Sequence, residues 1–320
     1  MTVTANDLVG TLSGTTAHGL ALGFAFIFVG SLYVSNHTRL SFDHNVKVSV
    51  GGYQRIKQNN ERWRDDPDVI RARLAAVSIA SVICCAIVGY LLSDLTHSKS
   101  SGEVFKLAAK HLGFASAGPI LSHLVTPVLF LGPLYAMFLG GDLPFQQHWD
   151  CEREGAKFTS WIGIRSYIFA PFTEELVFRA CVCTVYHISG TSTSRMIFLT
   201  PFTFGVAHAH HAWDTYNRYG RNTEALKRAI LGTIFQLMYT TLFGFLATYI
   251  FLRTGSLLPA WTAHAFCNVM GFPNIGWELQ AYPHRRKQII AVYLAGVVGF
   301  AFVLSRWTFT PDSIFWFPSP

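Results

Sequence analysis

Charge is what this sequence has least of. Lys, Arg, Asp and Glu make up 13% of its 320 residues, against roughly 25% in a soluble domain. The deficit is concentrated. None of the four occurs between Asp7 and Arg39, from Leu74 to Ser93, Leu112 to Gly141, Ala229 to Leu252, Thr254 to Trp277, or Gln288 to Ser305. Runs of this kind exclude a solvated surface over most of the chain. They read as membrane helices, which need about 20 apolar residues to cross. Other absences narrow the class further. There is no His-Glu-x-x-His sequence, so the metalloprotease signature of that form is excluded. No repeat, linker or low-complexity tract divides the chain, which reads as one membrane-embedded domain over residues 1–320. No basic residue precedes the first apolar run, which therefore reads as a retained helix and not a cleaved signal peptide. No stripe of mixed basic and aromatic residues points to nucleic acid. Cysteine is sparse too: Cys84, Cys85, Cys181, Cys183 and Cys267 fall inside predicted helices and Cys151 in a loop. Buried free thiols are the expectation for the five. Cys181 and Cys183 point to different faces and make no metal pair.

What is present is a set of helices with an ordered charge bias. Two further spans, Ser160 to His187 and Arg195 to Trp213, bring the expected count to about eight transmembrane helices in an all-α bundle. The third is long enough to include a re-entrant or interfacial piece around Lys106 to Ala117. Alternating the loops across the membrane puts seventeen Lys and Arg on one side and six on the other, with Arg165 and Arg179 inside a helix. The basic side is cytosolic by the positive-inside rule, which places both termini opposite. The net charge of +7 is thus mostly cytosolic loop charge. The sequon Asn36-His37-Thr38 lies in the cytosol and is expected to be unused. The tail from Trp307, rich in Trp and Pro, reads as interfacial.

Three polar clusters interrupt the apolar helices. A charged side chain at a helix centre costs about 2.5–3.5 kcal/mol on insertion scales, so such residues face a polar interior and have a task. In "PFTEELVFRA", Glu175 and Arg179 are four apart, share a face and can pair. Glu174 is turned about 100° away and is the carboxylate without a local partner. Pro171 should kink or restart the helix just before it, which would stabilise the Glu174 anion at a local helix start. In "FTFGVAHAHH", Phe204 and His208 share a face, and His210 and His211 lie closer to the cytosolic edge. Three histidines in four residues are a weak metal signal without further ligands. In "WTAHAFCNVMGF", His264 and Asn268 share a face. Each cluster alone also fits an interhelical hydrogen bond. Together they fit one assembly: Glu174 and His208 activate a water, and His264 and Asn268 donate to the oxyanion that forms when it attacks a carbonyl.

Glu-Glu-x-x-x-Arg, Phe-x-x-x-His and His-x-x-x-Asn, in that order, resemble the motifs of the type II CAAX prenyl endopeptidases, the Ras-converting enzymes, within the wider group of glutamate-type intramembrane proteases. The matching core runs over about residues 120–275. The resemblance implies Glu174, His208, His264 and Asn268 as catalytic residues, with Glu175, Arg179 and Phe204 in support, and neither cofactor nor metal. It implies farnesylated or geranylgeranylated proteins ending in Cys-aliphatic-aliphatic-X as substrates, with membrane lipid around the site. It also implies removal of the last three residues, and an endoplasmic reticulum location with the site open to the cytosol. Phe235, Phe243, Phe245, Phe251, Phe266 and Phe272 either line a slot for the lipid chain or face the bilayer. Three other readings share these residue types: a membrane acyltransferase, a metal-dependent hydrolase, and a non-enzymatic membrane scaffold of the same broad group.

Overall fold

The computed structural model describes residues 5–43, 54–97 and 100–316. Lys47 and Lys99, counted above among the basic residues, and the last four residues of the tail lie outside it. Among the described residues there is no named strand, only an isolated bridge between Ser41 and Arg62. The all-α expectation holds. In chain order the helices are α1 (Gly14–Ser31), α2 (Pro67–Thr96), α3 (Ser101–His111), α4 (Val125–Leu129), α5 (Leu131–Gly140), α6 (Cys151–Thr159), α7 (Trp161–Gly163), α8 (Ala170–Glu175), α9 (Val182–Ile188), α10 (Thr193–Ala207), α11 (His211–Arg218), α12 (Thr223–Thr254), α13 (Leu257–Met270), α14 (Ile275–Ala281) and α15 (Arg286–Trp307). Two π-helical segments, π1 (Ile164–Phe169) and π2 (Leu176–Cys181), separate α7, α8 and α9.

Among the described residues, four helices are long and apolar enough to cross a membrane: α1, α2, α12 and the segment Pro283–Trp307. A fifth crossing results if Ile120–Leu129 and Leu131–Gly140, bent by 72°, form one broken span. The expected eight is matched only roughly, for a physical reason. The three motif-bearing stretches are not single long α-helices. The first is broken by π1 and π2, and the others shorten to the 15 residues of α10 and the 14 of α13. At 1.5 Å per residue, neither covers the roughly 30 Å of hydrocarbon in a bilayer. The stretch around Lys106 to Ala117 holds the second half of α3, a short helix separate from the long apolar ones, then a turn at Gly113 and a loop.

The chain forms two compact units with interleaved segments: Met1–Leu112 with Thr173–Tyr249, and Gly113–Phe172 with Ile250–Pro320. In the first, every residue from Leu176 to Ile188 is buried, as expected of a helix enclosed on all sides. Around it, α1 buries Ala17, Ala21, Phe24 and Phe28 on one stripe. From α2, Val77, Ala80, Ser81, Cys84 and Val88 face inward at three- and four-residue spacing. Tyr186 meets His18 Nδ1 at 2.8 Å, and Thr184 donates to the His111 carbonyl at 3.0 Å. Within this unit two glycines leave little room between α10 and α12. A Cβ on Gly244 would lie 2.6 Å from Pro201 Cβ, and one on Gly205 would lie 2.6 Å from Thr241 Oγ1.

The second unit is organised by α15, which packs on α4 and α5 with the Tyr293 ring directly over Gly132. Tyr293 donates to Glu278 at 2.8 Å. Gly113, in the left-handed region at φ +74, turns the chain so that its carbonyl accepts from Leu257 N at 3.0 Å. Part of the tail packs against its own unit. Ser313, Ile314 and Phe315 are buried, Ser313 Oγ donates to the Leu252 carbonyl at 2.6 Å, and Phe315 packs on Phe251 at 5.1 Å. An aromatic segment lying against apolar helix surface buries more area than one resting at a headgroup boundary. Cys151 also differs from its expected loop placement. It opens α6 and is exposed, whereas Cys84, Cys181, Cys183 and Cys267 are buried and Cys85 is partly so.

Candidate active site

The run from Trp161 to Ile188 stays helical throughout, and Pro171 does not stop it. The missing Pro N–H falls at the second residue of α8, directly after π1. A π turn already displaces hydrogen bonds from the α register, so the proline costs less there than in a regular helix. The helix start expected before Glu174 is therefore absent, because helical residues precede it on both sides of Pro171.

Glu175 and Arg179 do pair. Arg179 Nε lies 3.0 Å from Glu175 Oε2, with side chains 1% and 0% exposed. The guanidinium sits over the Phe204 ring at 4.3 Å and near the Phe243 ring at 5.7 Å. Two aromatic faces and one carboxylate thus surround a buried cation, which is how such a charge is tolerated. Phe178 packs edge-on against Phe204 at 5.3 Å. Glu174, one residue earlier, is only partly buried, so adjacent carboxylates occupy different surroundings.

Phe204 links this pair to the histidines. Its ring lies 4.7 Å from the His208 ring, and its carbonyl accepts from His208 Nδ1 at 2.8 Å. A carbonyl can only accept, so Nδ1 carries the proton, and Nε2 of the neutral ring holds the lone pair. That tautomer is the one a water-activating histidine needs. His210 is held the same way by the Ala207 carbonyl at 2.7 Å. The His211 ring lies 5.7 Å from His208 and 4.1 Å from His210. Among the described residues no group of three or more His, Cys, Asp or Glu is arranged to hold a metal ion.

His264 and Asn268 belong to the second unit. His264 is 7% exposed, and Asn268 Nδ2 donates to the Ser166 carbonyl in π1 at 2.8 Å. Two helical turns earlier on α13, Trp261 Nε1 donates to the Ile168 carbonyl at 3.1 Å. The π register leaves carbonyls out of the α ladder, and α13 side chains take two of them. Asn268 has two amide hydrogens, and Ser166 uses one.

The sequence reading treated Arg39, Arg64 and Arg73 only as loop charge. With His210, His211 and Asp214 they line a cavity of about 190 Å³ in the first unit. Nothing in their spacing marks them, because they come together only through folding of the loop after α1. Arg55 shows how that loop is fastened. It pairs with Glu61 at 2.5 Å, with side chains 4% and 1% exposed, and its Nε donates to the Asn217 carbonyl of α11 at 2.9 Å.

Residues 156–270 match the family model described as type II CAAX prenyl endopeptidase Rce1-like. The chain is 33% identical over 261 residues to human CAAX prenyl protease 2, covering 78% of this chain and 75% of that protein. It is 31% identical over 241 residues to the Caenorhabditis elegans protein of the same name, covering 74% and 84%. Similarity to the Arabidopsis thaliana protein is 40% over 140 residues, 44% of this chain and 42% of that one. No solved structure matches. Helices long and apolar enough to span, together with these sequence matches, define the class as a multi-pass membrane endopeptidase. Within that class, the chain belongs to the type II CAAX prenyl endopeptidases.

Proposed function

We propose that this protein removes the carboxyl-terminal tripeptide from farnesylated or geranylgeranylated CAAX proteins, using Glu174 and His208 to activate water. The observation that carries the catalytic part is the Nδ1–H bond from His208 to the Phe204 carbonyl, which sets the ring in the tautomer able to take a hydrogen bond from water. Glu174 accepts the water proton as the oxygen attacks the scissile carbonyl. His264 and the second amide hydrogen of Asn268 are assigned to the resulting oxyanion. The proton then passes to the leaving nitrogen as the C–N bond breaks. The products are a prenylcysteine carboxylate and a free tripeptide amine. Glu175, Arg179 and Phe204 position Glu174 and His208 without touching substrate. A prenyl chain prefers lipid and a tripeptide prefers water, so a hydrolytic site at the cytosolic side of an endoplasmic reticulum membrane protein receives both.

The test is cleavage of a prenylated CAAX peptide by the full chain in membranes. Glu174→Gln and His208→Ala are each expected to insert and to lose about 10²–10⁴-fold in rate. Normal cleavage by Glu174→Gln would overturn the assignment of the general base. No cleavage by the wild-type chain would overturn the substrate.

A further inference from the structure

The cavity beside the histidines has a charge that the hydrolytic step does not use. Its lining holds three guanidinium groups, Arg39, Arg64 and Arg73, against one carboxylate, Asp214. The lining is net positive with the histidines neutral, and Arg64 Nε lies 3.8 Å from the neighbouring Asp65 carboxylate. Asp214 is also engaged elsewhere: Arg218 Nε lies 3.5 Å from it, and Arg218 reaches Asp65 at 2.7 Å. Two of the arginines are held in place. Arg39 donates Nε to the Tyr33 carbonyl at 2.5 Å, and Arg73 donates Nε to the Thr38 carbonyl at 2.8 Å. A guanidinium fastened in this way forfeits little side-chain freedom on meeting an anion.

Position gives the anion its identity. His211 lines the cavity, and its ring is 5.7 Å from that of His208. The cavity therefore begins one imidazole beyond the group assigned to activate water. Three extended residues reach at most roughly 10–11 Å. A tripeptide whose first amide bond sits at His208 ends within that distance, and it ends in a carboxylate. Planar guanidinium groups match carboxylate geometry better than ammonium groups do.

We propose that this cavity binds the free α-carboxylate of the departing tripeptide, with Arg39, Arg64 and Arg73 as the anion-binding side chains. The proposal rests on the function proposed above and adds how the enzyme selects its bond. A carboxylate anchored at a fixed distance from the activated water makes the chain end the reference point. Cleavage then falls three residues from the end and not at internal cysteines.

The experiment compares two prenylated peptides that differ only at the end, one a free acid and the other a carboxamide. The wild-type full chain in membranes is expected to prefer the acid by about tenfold or more in kcat/KM, expressed mainly in KM, because charge-assisted hydrogen bonds exceed neutral ones in strength. Arg39→Gln, Arg64→Gln and Arg73→Gln are each expected to move the acid-to-amide ratio towards one, with the lysine variants retaining part of it. The ratio is internal to each preparation, so a smaller folded fraction does not alter it. Glu174→Gln is expected to lower both rates and leave the ratio standing. Equal handling of acid and amide by wild type would overturn the proposal, as would arginine variants that lower both rates in parallel. Cleavage of neither peptide by wild type would be a failure of the proposed function itself.

Discussion

Glu174 and Glu175 are chemically identical neighbours in different surroundings. Glu175 is fully buried and bound to Arg179 beneath the Phe204 ring. Removing one partner of a buried pair leaves an uncompensated charge, at a cost of about 3–5 kcal/mol. Glu175→Ala and Arg179→Met are therefore expected to lower thermal stability in detergent markedly. Glu174→Gln is expected to lower cleavage by about 10²–10⁴-fold with little thermal shift. If Glu174→Gln melts early and Glu175→Ala does not, the structural and catalytic roles are exchanged. Phe204 serves both parts: its ring faces the arginine and its carbonyl sets the His208 tautomer.

At the scale of elements, one feature in each unit sets the surroundings of that unit's own motif residues. In the second unit, π1 displaces carbonyls that Asn268 and Trp261 then bind. In the first unit, the feature is the close crossing of α10, which carries Phe204, on α12. Gly244→Ala would press a methyl group into the rigid Pro201 ring, whereas Gly205→Ala meets the movable Thr241 hydroxyl. The first substitution is expected to cost about 1–3 kcal/mol by overpacking, and the second less, as read from thermal denaturation of the two variants side by side. The loop after α1 supplies a pH test. Burial pushes the Glu61 carboxyl up, but hydrogen bonds from Arg55, Gln58 N and Asp43 N and the Arg55 charge outweigh it, and the carboxyl falls to about 2. A depressed carboxylate stabilises the fold above its unfolded value and loses that contribution as pH falls through its folded one. Protection of the Arg55–Asp66 amides from hydrogen exchange is expected to decline from about pH 4.5 to about 2, and Glu61→Gln should flatten that decline.

At the scale of the whole molecule, the charge bias of the loops and the exposed thiol of Cys151 can be tested together. Cys151 is the one exposed cysteine of the six, and it opens α6, in the segment that the basic-residue count leads one to expect in the cytosol. A membrane-impermeant maleimide added to sealed microsomes is expected to label the wild-type chain, and Cys151→Ser should abolish the signal. Labelling only after the membrane is opened would reverse the orientation. Treatment with a zinc chelator is expected to leave cleavage intact; loss of activity restored by zinc would favour the metal-dependent hydrolase reading.

Hydropathy and helical spacing act along the chain, and the properties that depend on them were legible in order. The charge-poor runs specify membrane helices, and the four-residue intervals Glu175–Arg179, Phe204–His208 and His264–Asn268 specify shared faces. The motifs they form specify the family. Tertiary packing decided the rest. No local pattern announces a π turn, because its altered hydrogen bonds are stabilised by partners such as Asn268 about a hundred residues away. No spacing brings Arg39, Arg64 and Arg73 to one cavity; contacts such as Arg55 with Asn217 do. The tail turned inward because Phe315 found Phe251, a contact between segments that hydropathy alone treats as equivalent apolar surface.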